Sequence, residues 1–351
     1  MLGIAGVSLG KKFVFVDPNP EAGAKSVGQL IVGDYDDEVS LRALAEACEV
    51  VTYEFENVPL RAAEMLDELV PLRPSPRALE LMQDRLSEKR LFEYLHIPAA
   101  AFIPADSEDE LRAAASDLGL PVVVKTRREG YDGKGQRVVR DSAELDGLWA
   151  ELGEVPLLVE AFIDFDRELS VIGVRAEDGD SKFYPLTENT HRDGILRVSV
   201  APADVSAETQ AEGEEIAASI MEALGYVGVL SVELFEKDGI LAANEMAPRV
   251  HNSGHWTIEG ADTSQFENHL RAILGLPLGS TAPRGVSAMV NLIGELPTSS
   301  DVLAIEGAHL HLYDKTPRSG RKLGHVTITA VGVEVLLARL EELGKIENIG
   351  I

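Results

Sequence analysis

Two Asp-Gly pairs, Asp178-Gly179 and Asp238-Gly239, each lie between long runs of β-forming residues. Asp-Gly accepts the positive φ angles of a tight turn, so each pair closes an antiparallel hairpin. The arms are RELSVIGVRAEDGDSKFYPLT and GVLSVELFEKDGILAANEMA, and residues 208–224 between them repeat apolar side chains at helical spacing. The middle of the chain therefore alternates helices with hairpins.

The flanks read differently. Lys12 to Val16 is a short strand stopped by Asp17-Pro18, Ser40 caps a helix over LRALAEACEV, and VVTYEFENVP is a second strand, an α/β pattern. Pro71, Pro74 and Pro76 mark a hinge, after which Gln83 to Leu95 is helical with Asp84, Glu88, Lys89 and Arg90 as a charged face. LPVVVKT and QRVVR are strands joined by RREGYDGKG, and VPLLVEAFI is a third. From about Gly275 come short strands (SAMVNLIG, HLHLYDK, HVTITAV) and a last helix, VEVLLARLEEL. The expected domains are 1–75, 76–275 and 276–351. MLGIAGVSLG reads as the second half of a helix, so either a doubly wound first domain places its opening strand before Met1, or a short native N-terminal helix packs on a smaller sheet.

Composition narrows the function. With 32 Lys+Arg against 59 Asp+Glu, the net charge of −27 repels nucleic acid and anionic membranes. Cys48 is the only cysteine, which excludes an intrachain disulfide framework. Neither an apolar run of about 18 residues nor a secretory leader is recognisable, so the expectation is a cytoplasmic protein.

Three constellations carry chemistry. Gly130, Gly133 and Gly135 within Glu129–Gln136 allow backbone N–H groups to converge on an oxyanion, with Lys134 and the strand-end Lys125 adding charge. An ordinary hairpin turn is the plainer alternative, although a two-residue turn would suffice. Glu233 and Glu245 sit five residues before Asp238 and six after Gly239, on facing strands of one hairpin. There they either share one or two magnesium ions with nucleotide phosphates or face solvent. His251 and His255 follow, as a zinc pair or as part of a hydrogen-bonded loop beside the nucleotide. Lys315 to Lys322 (KTPRSGRK) packs four cations into eight residues, a site for an anionic group such as a sugar phosphate or else a solvated loop. Segments 125–137 (five bases, two acids) and 313–325 (four bases, one acid) are basic islands in the acidic chain, able to focus attraction at a cleft. A strand lysine, a glycine-rich lid and paired carboxylates are parts of a phosphoryl-transfer site.

RREGYDGKGQ, FYPLTENTHRDGILRVSVAP, GYVGVLSVELF, NEMAPRVHNSGHWTIEGADTSQFENHLRAILGLPL and YDKTPRSGRKLGH together resemble 5-(carboxyamino)imidazole ribonucleotide synthases, ATP-grasp enzymes of purine biosynthesis. The resemblance covers nearly the whole chain. It implies an ATP-grasp fold, α/β in class (α+β overall), with an N-terminal doubly wound pre-ATP-grasp domain and a small β-rich C-terminal domain. The family's opening strand and GxGQLGRM-type turn would precede Met1. The implied reaction joins ATP, bicarbonate and 5-aminoimidazole ribonucleotide through carboxyphosphate, using magnesium or manganese, in a homodimer. Arg85 and Lys125 would contact ATP phosphates under a lid of Gly130, Tyr131, Asp132, Gly133, Lys134, Gly135 and Gln136. Glu160, Ala161, Phe162 and Ile163 would take the adenine through backbone groups, Glu168 the ribose, and His191 and Asn244 further parts of ATP. Glu233 and Glu245 match metal ligands, Glu245 also touching ATP. Asp132, Lys134, Lys315, Arg321 and one of Glu54 or Glu56 would hold the aminoimidazole ribonucleotide. Arg249 would stabilise carboxyphosphate, with Lys125 and Lys134 also catalytic. The alternative enzyme is another ribonucleotide-acting ATP-grasp member such as a formate-dependent glycinamide ribonucleotide transformylase, and the alternative of a different class is a non-catalytic nucleotide-binding remnant.

Overall fold

The computed structural model describes residues 1–130 and 133–350. The first region holds α1 (Leu2–Val7), β1 (Val14–Asp17), β2 (Gln29–Val32), α2 (Glu38–Ala47) and α3 (Leu60–Leu69), with β1 and β2 parallel. Two expectations fail here. Asp37, not Ser40, caps α2: its carboxylate accepts from Ser40 N at 3.1 Å and from the Ser40 hydroxyl at 2.6 Å. An acid one turn earlier captures the amide donors first. VVTYEFENVP forms no strand; only Val51 is laddered, through Val51 N to Pro71 O and Arg73 N to Val51 O, and its parallel partner is Leu72. A strand extends only where a neighbour keeps accepting and donating.

Next come α4 (Pro76–Met82), α5 (Arg85–Tyr94), β3 (Phe102–Ala105), α6 (Glu108–Leu118), β4 (Val122–Thr126), β5 (Gln136–Val139), α7 (Leu148–Glu151) and β6 (Leu157–Ala161). The expected helix from Gln83 starts instead at Arg85, because the Asp84 carboxylate accepts from Leu86 N and breaks it from α4. The strands make an antiparallel sheet in the order β3-β6-β4-β5, backed by α6.

The rest is built on one large antiparallel sheet. It contains β7 (Arg167–Arg175), β8 (Ser181–Phe183), β9 (Thr187–Arg192) and β10 (Ile195–Ala201); then α8 (Ala207–Leu224), β11 (Gly228–Lys237), β12 (Ile240–Ala247), α9 (Thr257–Gly260) and α10 (Gln265–Ile273) follow. The chain ends with β13 (Val286–Ile293), α11 (Ser299–Leu303), β14 (Ala308–Leu312), β15 (Lys322–Ala330) and α12 (Val333–Leu343). Strand order is β12-β11-β7-β9-β10-β13-β15-β14, with β8 beside β7. The three C-terminal strands thus continue the central sheet through the β10–β13 ladder. Period-two patterning explains the apolar run of β11: Leu230, Val232 and Leu234 pack under α8, while Val229 joins the core of Trp256 and Phe266 on the other face. Asp238 and Gly239 both have positive φ, as a two-residue hairpin turn requires. The same signature at Asp193-Gly194 joins β9 to β10, a hairpin absent from the sequence reading. Among the described residues no helix is long and apolar enough to cross a membrane.

Candidate active site

The Asp238-Gly239 turn sets a register in which Lys237 faces Ile240 and Leu234 faces Ala243. Continued unbroken, it would set Glu233 opposite Asn244 and turn the Glu245 side chain to the other face. A one-residue bulge at Asn244 shifts the ladder, and Glu233 and Glu245 become direct cross-strand partners. The pair foreseen from sequence therefore depends on an irregularity.

Cations surround it. The Arg85 guanidinium donates to Glu245 Oε2 at 2.6 Å and to Gly130 O at 3.5 Å, tying the pair to the start of the glycine loop. Lys125 Nζ, buried on β4, reaches Glu160 Oε2 at 3.1 Å and Asn244 Oδ1 at 3.2 Å. Burial favours a neutral Glu245, yet Arg85 and Lys125 overcome it and hold the acid down at about 2. At Glu233 burial and then the Glu245 charge outweigh His191 and Lys322 and push it up to about 7. His251 is held down to about 3 by burial and by Arg249. Its Nδ1 accepts from Ser253, leaving Nε2, 3.3 Å from Glu233 Oε1, to carry the proton. Burial would lower His191, but its close hydrogen bond to Glu168 raises it instead.

The glycine loop leaves β4 through Thr126, whose amide donates to Gly135 O at 2.7 Å. Gly133 and Gly135 have positive φ, and a Cβ on Gly133 would press on Gly194 Cα at 3.0 Å, so the loop rests on the β9–β10 turn. Lys134 lies exposed on this loop, and Gln136 opens β5 opposite Lys125. Tyr131 and Asp132 lie outside the described residues. At the end of β6 the Ala161 and Phe162 amides donate to Ala101 O and Pro121 O. Antiparallel pairing with β3 and β4 uses them. Ile163 follows, and Glu160 turns its side chain inward to Lys125 and Lys89.

Glu54 and Glu56 part company. Glu56 makes a two-pronged ion pair with Arg249, Nη2 to Oε1 being 2.8 Å. Glu54 accepts from Leu2 N at 3.0 Å and lines a cavity of about 1520 Å³ between the first region and β14–β15. Lys315 and Arg321 line the same cavity. Lys315 Nζ sits 5.3 Å over the Tyr313 ring, whose hydroxyl meets His325 Nδ1 at 2.6 Å.

The sequence reading missed Glu88 and Lys89, whose charged spacing suggests a solvated face although they are 3% and 1% exposed. A signal existed: with Arg85 they share the i, i+3, i+4, i+7 stripe that ends in fully buried Phe92. His251 contributes as a neutral hydrogen-bonding ring. Among the described residues no group of three or more imidazole, thiolate or carboxylate side chains is placed to hold a metal alone; His251 and His255 lie in a hydrogen-bonded loop, the Nδ1 of each engaged by Ser253 and Gln265 respectively.

An antiparallel sheet carrying opposed carboxylates, facing a smaller sheet with a strand lysine and a glycine loop, defines the ATP-grasp class. The ATP-grasp domain profile matches residues 90–266, the ribonucleotide synthetase preATP-grasp domain 1–83, and the phosphoribosylaminoimidazole carboxylase C-terminal domain 287–339. The chain is 50% identical to the N5-carboxyaminoimidazole ribonucleotide synthase of Pseudomonas aeruginosa, covering 98% of this chain and 95% of that protein. The crystal structure of the Thermus thermophilus synthetase superposes with a TM-score of 0.95 at 53% identity, covering 98% of this chain and 94% of that one. The Aspergillus clavatus synthase, solved with ADP and 5-aminoimidazole ribonucleotide, gives 0.91 at 32% identity, covering 98% and 94%. The chain belongs to the N5-carboxyaminoimidazole ribonucleotide synthase family.

Proposed function

We propose that this protein carboxylates 5-aminoimidazole ribonucleotide at nitrogen, consuming ATP and bicarbonate and releasing ADP and phosphate, in the purine pathway to IMP. The observation that carries the reading is the cross-strand pair Glu233–Glu245, ringed by Arg85, Lys125 and Asn244. Two opposed carboxylate groups, one of them pushed up to about 7 by burial and the other's field, suit a hard divalent cation that relieves their repulsion. Glu233 and Glu245 would hold magnesium (or manganese), which supplies charge neutralisation for ATP phosphates.

The chain's own groups supply the rest. Lys125 and Arg85 offset charge on the transferring phosphoryl group while a bicarbonate oxygen attacks it and ADP leaves. Gly130 to Gln136 closes over the phosphates and excludes water from carboxyphosphate, with Lys134 adding charge. Glu160, Ala161, Phe162 and Ile163 take adenine through backbone groups, with Ile163 as the amide donor because the Ala161 and Phe162 amides already have partners. Glu168 takes the ribose, oriented by His191. Arg249, oriented by Glu56, stabilises carboxyphosphate until the substrate amine attacks its carbon and phosphate leaves. Lys315 and Arg321 take the ribonucleotide phosphate and Glu54 a polar group of the same substrate, because all three line one cavity; Asp132 and Lys134 complete this set. The reading includes domains at 1–75, 76–275 and 276–351, a cytoplasmic location and a homodimer, the last checked by sedimentation. Bicarbonate-dependent ADP release with 5-aminoimidazole ribonucleotide tests the function; formate-dependent release with glycinamide ribonucleotide instead would identify a transformylase.

A further inference from the structure

Helix α5 turns three ionisable side chains, Arg85, Glu88 and Lys89, toward β12 on the stripe that ends in Phe92. Burying a charge this completely is unfavourable unless its partners are fixed. The partners of Glu88 and Lys89 are the backbone of the bulge. Lys89 Nζ donates to Asn244 O at 2.9 Å and Ala243 O at 3.5 Å, and Met246 N donates to Glu88 Oε1. Arg85 meanwhile grips the Glu245 side chain. One face of one helix thus holds residues 243 to 246, the stretch where β12 loses its regular ladder with β11. Lys89 does a second thing: it shares Glu160 Oε2 with Lys125, at 3.3 and 3.1 Å.

We propose that Glu88 and Lys89 are positioning residues that hold the Asn244 bulge in register, so that Glu245 faces Glu233 and Asn244 reaches Lys125. Neither side chain touches substrate. The turn alone would set the unbulged register, and α5 supplies the polar partners that make the shifted one stable. Lys89 also keeps Glu160 aimed, and with it Lys125.

The test compares Glu88→Ala, Glu88→Gln and Lys89→Met by calorimetric titration of ADP at graded magnesium, alongside steady-state kinetics and melting temperature. Loss of a group that orients metal ligands raises the half-saturating magnesium concentration about 10- to 100-fold. The expected result is that rise for Glu88→Ala and Lys89→Met, a higher KM for ATP, and a KM for 5-aminoimidazole ribonucleotide within twofold of wild type. Glu88→Gln keeps an acceptor for Met246 N–H and recovers most of the loss. Should the truncations not fold, Glu88→Asp keeps the carboxyl but shortens the reach, and is expected to raise the magnesium requirement in a folded protein. Variants that lose only melting temperature, with magnesium requirement and ATP KM within twofold of wild type, overturn the proposal; so does Glu88→Gln as impaired as Glu88→Ala. The inference rests on the metal reading of Glu233 and Glu245. Wild-type ADP binding that ignores magnesium overturns that reading and this one together, whereas a magnesium-responsive wild type with equally responsive variants overturns this one alone.

Discussion

Glu56→Gln removes one charge from an ion pair that links the first region to the strand end carrying Glu245. Both side chains are largely withdrawn from solvent, 25% exposed for Glu56 and 19% for Arg249. Burial works against ionised Glu56, yet Arg249 still holds it below the ordinary carboxylate range. Breaking a buried pair costs about 3 to 5 kcal/mol, mostly because the surviving charge is stranded. Residual exposure of both partners lets water reach them, and the remaining amide still accepts one hydrogen bond, so the expected loss is about 2 to 3 kcal/mol. For a chain of 351 residues that corresponds to a fall in melting temperature of roughly 3 to 4 °C. Arg249→Met should cost a similar amount, and the double variant much less than the sum. Urea unfolding of all four proteins gives the coupling energy, expected near 2 kcal/mol, to order of magnitude. A coupling below about 0.5 kcal/mol, the value of a solvated surface pair, would refute the reasoning.

Three further outcomes are expected. Glu245→Gln should abolish ATP turnover while leaving circular dichroism unchanged; near-normal phosphate release would contradict the metal assignment. Lys315→Ala and Arg321→Ala should each raise the KM for 5-aminoimidazole ribonucleotide by about 10-fold or more, as loss of a charged contact predicts, with the KM for ATP unmoved; equal effects on both substrates would displace the phosphate site from that cavity. Because Glu233 sits at about 7 when folded rather than at the ordinary 4.5, the folded protein binds the extra proton between those values. Metal-free protein should therefore lose stability as pH rises from 5 to 7, and magnesium affinity should rise over the same range; a pH-independent magnesium affinity would contradict the shared site.

Much of this was legible in the sequence because local chemistry fixes it. Asp-Gly turns with β-branched arms specify the β11–β12 hairpin, and the helices over 207–224 and 333–343 follow from spacing alone. The carboxylate pair was visible, but not its mechanism: spacings of five and six residues from the turn need a bulge, whose stabilising groups lie 155 positions away, as from Lys89 to Asn244. Buried charges on α5 look like a solvated face until the partner strand is known. That Glu56 rather than Glu54 pairs with Arg249 likewise depends on a contact across 193 positions. Tertiary partners decided what local pattern left open.

The most direct test is a coupled ADP-release assay on the purified protein with ATP and magnesium, adding bicarbonate and 5-aminoimidazole ribonucleotide separately and together. The account predicts rapid ADP release only when both are present, with one N-carboxylated ribonucleotide formed per ADP. Turnover that is indifferent to bicarbonate, or ADP release without carboxylated product, would contradict it.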